Sequence, residues 1–170
     1  MRRNRALTFI IALCLMALSI VCIRLPIATE RVNLPSKKRQ EDLVIGIIKK
    51  PTSKFLDNCG CSLQFPAKTW TERYVFLGDL SNDALMNING QDIKLRLVDY
   101  KEPKGEPKKG NRSTWTYTDG KTIKAQVDYV ITGFCDPKDE SCEVTYYDAV
   151  ITVTRNDSRQ IVKVTGICGC

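Results

Sequence analysis

Thr122-Ile-Lys-Ala-Gln-Val-Asp-Tyr-Val-Ile-Thr-Gly133 decides the fold. Ile123, Ala125, Val127, Tyr129 and Ile131 fall on one face, and Lys124, Gln126 and Asp128 fall on the other. A period of two is that of a half-buried strand, whose successive side chains point to opposite faces of a sheet. The same pattern recurs on both sides. Over Val144–Thr154, the residues Tyr147, Ala149, Ile151 and Val153 share a face. Over Asp92–Tyr100, Ile93, Leu95 and Leu97 oppose Lys94 and Arg96. Such alternation marks antiparallel sheets with one face on a core.

Turn signals separate these runs. Asn89-Gly90 lies between Ala84–Ile88 and Gln91–Tyr100, and Asp119-Gly120 lies between Ser113–Thr118 and Lys121–Thr132; both read as two-residue hairpin turns. Asn156-Asp157-Ser158 divides the last two strands, and Gly78-Asp79 with Ser81-Asn82-Asp83 follows the strand Arg73–Leu77. No segment past Gly60 carries a helical stripe. The expectation is an all-β fold, an antiparallel meander of about eight strands closing into a small barrel or a two-sheet sandwich. The Ala84–Leu95 hairpin resembles the strand pair of small exported lysozyme-inhibitor barrels over its own length. The resemblance implies a small barrel and assigns no site residue.

Outside this body the chain reads as delivery apparatus. Arg2, Arg3 and Arg5 precede Ala6–Ile23, eighteen uncharged residues. This is the pattern of an export signal with the N-terminus on the cytoplasmic side. Eighteen helical residues span about 27 Å at 1.5 Å each, close to the ~30 Å hydrocarbon core, so 1–23 serves either as a cleaved signal peptide or as an uncleaved membrane anchor helix. Lipid attachment at Cys22 is a third route, poorly matched by Ser19-Ile20-Val21. Residues 24–54 form a tether, interrupted by Pro26, Pro35 and Pro51, with a basic run at Ser36-Lys-Lys-Arg39 suited to anionic lipid. Leu43–Ile48 is too apolar for a linker and is expected to pair as an edge strand or dock on the domain. Residues 55–170 are the disulfide-stapled β-domain.

Charge and composition narrow the function. The formal net charge is +7, but residues 59–170 carry fifteen basic and fifteen acidic side chains. A neutral domain lacks the overall basic character of a nucleic-acid binder. The chain has no histidine, which excludes Ser-His-Asp and Cys-His catalysis and His-ligated zinc. Carboxylate or lysine chemistry stays open.

Six cysteines follow the leader, which holds Cys14 and Cys22: Cys59, Cys61, Cys135, Cys142, Cys168 and Cys170. An even count in an exported chain reads as a disulfide framework. Cys135 and Cys142 flank a polar loop and should staple it, contributing about 2.5 kcal/mol in the chain-entropy model. The two Cys-Gly-Cys triplets, laid antiparallel, would oppose Cys59 to Cys170 and Cys61 to Cys168, with Gly60 and Gly169 relieving crowding between the paired side chains. That lock would tie the first strand to the last, as barrel closure requires. Pairing of 59 with 168 and 61 with 170, a four-thiolate zinc site, and a redox-active C-terminal Cys-Gly-Cys are the alternatives.

Other candidates are fewer. Lys101–Gly110 is a charged Pro/Gly loop that projects into water, and its Lys104, Lys108 and Lys109 suit an acidic partner. Trp115 and Tyr117 are placed for cross-strand packing or for a ligand platform. Asp136, Asp139, Glu140 and Glu143 crowd the stapled loop without a calcium-loop spacing, so no metal is assigned. Asp79 and Asp83 could pair as acid and base, although turns attract Asp. Asn111-Arg-Ser113 and Asn156-Asp-Ser158 fit the glycan acceptor pattern. The resulting reading is an exported, non-catalytic β-domain, secreted, periplasmic or anchored outside the cytoplasm. It acts as a binding or envelope-structural module, with loops contacting a macromolecule or small ligand, no nucleic acid and no cofactor. A thiol-disulfide protein and a carboxylate hydrolase are the alternatives.

Overall fold

Eight antiparallel strands close into one barrel in the computed structural model, which describes residues 42–56, 59–79, 81–136, 138–139 and 141–170. The signal or anchor at 1–23, the basic run Ser36–Arg39, Cys14, Cys22 and Glu140 lie outside the described residues. Among the described residues no helix is long and apolar enough to cross a membrane.

The elements run β1 (Ile45–Gly46), α1 (Ser53–Leu56), β2 (Gly60–Gln64), β3 (Tyr74–Asp79), β4 (Asp83–Ile88), β5 (Gln91–Lys101), β6 (Arg112–Thr118), β7 (Ile123–Phe134), β8 (Val144–Arg155) and β9 (Ser158–Gly169). From β2 to β9 each strand pairs with the next, and β9 returns to β2 to close the ring. The barrel therefore replaces the sandwich alternative, and closure leaves the ring no open seam.

The alternation seen in the sequence is the alternation of burial. Ile123, Ala125, Val127, Tyr129 and Ile131 of β7 are buried, as are Ala149, Ile151 and Val153 of β8. Side chains fill the barrel: Leu63, Phe76, Met86, Leu95, Tyr117 and Val164 meet the β7 and β8 residues in one cluster. Large residues face small ones in register, Tyr117 opposite Ala125, Tyr129 opposite Ala149 and Tyr147 opposite Gly166. That is how a narrow barrel accommodates aromatic rings.

Strands β3 and β4 differ, because both of their faces are covered. Phe76 and Met86 turn inward, while Leu77 and Leu85 turn outward beneath Ile48 and Phe55. Residues 42–56 run up this outer wall as a strap. β1 pairs Ile45 with Ile88 and Gly46 with Asn87, taking the edge of β4 beyond its last partner in β3. The apolar run at 43–48 is thus an added edge strand, and Leu43 and Ile45 join the main core. Asp92 accepts from the backbone N–H groups of Lys49 and Lys50 at 2.8–3.1 Å, and Asn87 Nδ2 donates to it at 2.6 Å. Burial alone would raise the Asp92 pKa; those donors, Asn87 first, hold it below the ordinary carboxylate value.

Turn chemistry accounts for the rest. Asn89 and Gly90 both have positive φ, 51° and 76°, as a two-residue hairpin turn of the primed type demands. The Asp119-Gly120 turn is longer than its dipeptide suggests and spans Asp119–Thr122. One Asp119 oxygen accepts from the N–H groups of Lys121, Thr122 and Ile123 at 2.8–3.0 Å, so the carboxylate stabilises an extended loop that a tight turn could not hold.

Candidate functional site

The two Cys-Gly-Cys triplets meet at the β2–β9 seam. Gly60 is in register with Gly169 and Cys61 with Cys168, and the bridges are Cys59–Cys170 and Cys61–Cys168, with Cα atoms 4.1 and 4.0 Å apart. The inner bridge is part of the core: Cys61 is buried and Cys168 packs against it. A side chain at Gly60 would collide with the carbonyl oxygen of Gly78 on the neighbouring β3. This glycine is needed for strand-to-strand approach rather than to relieve crowding between the thiols. The third bridge, Cys135–Cys142, staples the β7–β8 loop. Within that loop Asp136 and Asp139 accept local backbone N–H groups. Among the described residues no group of three His, Cys, Asp or Glu side chains could hold a metal ion.

Trp115 and Tyr117 face the interior. Tyr117 is buried edge-to-face against Phe76, with ring centroids 5.3 Å apart, and burial pushes its hydroxyl pKa well above the ordinary phenol value. Trp115 stacks edge-to-face on Tyr129 at 5.6 Å, and Tyr129 on Tyr147 at 5.4 Å. These rings are packing, and they lie apart from Lys104, Lys108 and Lys109, which are exposed in the β5–β6 loop. Lys108 N–H is held by Asn111 Oδ1 at 2.8 Å, so the base of that loop is ordered.

Asp79 and Asp83 share one partner. Lys54 Nζ lies 3.0 Å from Asp79 Oδ2 and 2.7 Å from Asp83 Oδ2, pinning α1 to the β3–β4 corner. Asp79 Oδ1 also accepts from the N–H groups of Ser81 and Asp83, both at 2.9 Å. Desolvation would raise the Asp79 pKa, but the Asp83 N–H, Lys54 and Ser81 outweigh it and hold the carboxyl below its ordinary value. A general acid at neutral pH needs the opposite shift. The pair pins the strap.

A concavity with an apolar floor lies on the opposite wall. A groove of about 390 Å³ crosses the outside of β6–β9. Val130 and Val150 line it, Pro66 borders it, and Arg112, Asp128, Asp148 and Lys163 surround it. The register builds it: Val150 sits between Asp128 of β7 and Lys163 of β9, and Val130 between Asp148 of β8 and Arg112 of β6. Asp128 is fixed by neutral donors, Thr114 Oγ1 at 2.7 Å and Gln126 Nε2 at 2.9 and 3.1 Å. The ion pairs found among the described residues, Lys54 with Asp79 and Asp83, and Arg96 with Asp83, include none of the four groove charges. A second hollow, about 450 Å³, lies between Asp42–Val44 and the β8–β9 turn and is more polar.

The groove is the feature that reading the strands one at a time passes over. Its signal is an outward Asp-x-Val on two adjacent strands, Asp128-x-Val130 and Asp148-x-Val150, which antiparallel pairing sets crosswise. No family model matches the chain, and neither the curated proteins nor the solved structures contain a match.

Proposed function

We propose that the protein is an exported, non-catalytic binding module, a disulfide-closed barrel that offers its bare outer wall and lysine-rich loop to a macromolecular partner. The observation that carries this reading is the filled interior. With Tyr117, Tyr129, Phe76 and Leu63 packed inside, recognition is left to the outside, where the groove brings charged groups around an apolar floor. Three disulfides fit a chain that folds in an oxidising compartment. The bridge pattern argues against thiol exchange through a terminal dithiol, because each triplet cysteine is paired across the seam. The shared Lys54 argues against an acid–base pair at Asp79 and Asp83.

Site-specific photo-crosslinking in the native host tests the reading. A photoreactive residue at Ile161 or Lys109, both exposed on or beside the bare wall, should give the same discrete adduct. One at Leu56, on the strap, should give none. Equal adducts from Leu56, or insulin reduction by the purified protein, would reject the proposal.

A further inference from the structure

We propose that the outer groove receives a basic side chain, lysine or arginine, from an extended segment of the partner polypeptide, with acidic residues flanking it. The inference deepens the binding-module reading and rests on it. Across the wall the charges run Lys163, Asp148, Asp128, Arg112, positive at both ends and negative in the middle. Asp128 and Asp148 are diagonal cross-strand neighbours, whose Cα atoms such geometry sets about 7–8 Å apart. One ammonium or guanidinium group can lie between two carboxylates at that spacing. The valines beneath them provide the apolar surface on which the stem of a long basic side chain lies while its charge stays with the carboxylates.

Three observations separate this arrangement from an ordinary solvated face. The charges border a concavity with an apolar floor. None of the four belongs to an ion pair among the described residues, whereas the acidic groups at the β3–β4 corner share Lys54. Asp128 is also held in place beforehand by Thr114 and Gln126, which lowers the entropy cost of engaging a cation. The sign order then selects the partner. An acidic segment meets the two aspartates, a purely basic one meets Arg112 and Lys163, and an acid–base–acid segment matches all four.

The test titrates the full-length oxidised protein with three peptides, following heat by calorimetry and amide shifts by NMR. The peptides are Ac-Ala-Glu-Arg-Glu-Ala-NH2, its norleucine-for-arginine analogue, and the charge-swapped Ac-Ala-Arg-Glu-Arg-Ala-NH2. The first should saturate, move the Val130 and Val150 amides, and weaken with added salt. Asp128→Asn with Asp148→Asn should weaken it about tenfold or more, as loss of a charge-assisted contact does. Asp148→Glu should retain binding, and unchanged melting of each variant keeps misfolding apart from lost recognition. Equal binding of the norleucine peptide, or full binding by the double Asn variant, would overturn the inference. So would saturation by phosphatidylglycerol vesicles or by self-association in place of the peptide. A photo-adduct at Ile161 that survives the double Asn variant would overturn it too, while leaving the binding-module reading intact.

Discussion

The β3–β4 wall and the β7–β8 wall belong to one barrel but solve opposite problems. β3 and β4 are six residues each and bury nearly every side chain, because Ile48 and Phe55 of the strap cover their outer face. β7 and β8 are twelve residues each and bury alternate side chains. On the covered wall the carboxylates are consumed by architecture: Asp79 and Asp83 hold Lys54, and Asp92 holds the Lys49 and Lys50 backbone. On the β7–β8 wall the side chains of Asp148, Lys163 and Arg112 enter no ion pair among the described residues. These charges, set around an apolar hollow, are the ones the proposed recognition draws on.

Cutting the β2–β9 seam that joins the two walls should do the most damage. Replacing Cys59, Cys61, Cys168 and Cys170 with Ser should cost about 4–5 kcal/mol in the chain-entropy model, since the bridges close a loop of more than a hundred residues. Removing Cys59–Cys170 alone should cost far less, because the inner bridge closes nearly the same loop. Denaturant midpoints of the two variants measure the difference.

Next in size is the strap. Phe55→Ala removes a buried ring from the small outer core and should cost about 3 kcal/mol. Hydrogen exchange should rise at Leu77 and Leu85 and stay low at Val127 and Ile151. Uniform loss of protection would mean that the two walls are not separable.

Acid should act on the same contrast more gently. The folded Asp79 and Asp92 titrate below the ordinary carboxylate value of 3.8. Their charged forms therefore stabilise the fold above that value, and the contribution fades as pH falls through the lower folded pKa values. Protection at Lys49 and Lys50, measured relative to the intrinsic exchange rate at each pH, should fall as the pH drops below the ordinary carboxylate value, before protection at Val127 falls, and Asp79→Asn should flatten the acid limb of the stability curve.

The smallest effect belongs to the groove. Asp148→Asn and Lys163→Gln should each change stability by less than about 0.5 kcal/mol, as exposed unpaired side chains do, whatever they do to binding. A larger loss by thermal melting would show that these charges serve the fold.

How much of this the residues disclose follows the same division. β7 and β8 are readable because one face is wet, so period-two alternation survives in Ile123–Ile131 and Tyr147–Val153. Val75-Phe76-Leu77 and Ala84-Leu85-Met86 lose the alternation because both faces are dry, and only their flanking turns mark them as strands. The apolar run at 43–48 announces docking, but the wall it docks on depends on Asp92 and Asn87, more than forty residues away. Trp115 and Tyr117 allow either packing or display until the register sets Tyr117 opposite Ala125 inside the barrel. The groove needs four strands at once, and taken singly each of its residues is an ordinary outward side chain.

Opposed thiols seal the barrel at the β2–β9 seam, and the proposed recognition falls to its outer wall. Because only a glycine separates the cysteines of each triplet, the pairing must be read by stepwise reduction, differential alkylation and fragment-ion mass spectrometry of the native protein. Bridges between Cys59 and Cys170 and between Cys61 and Cys168 are expected. Bridges within a triplet, or between Cys59 and Cys168, would contradict the claim.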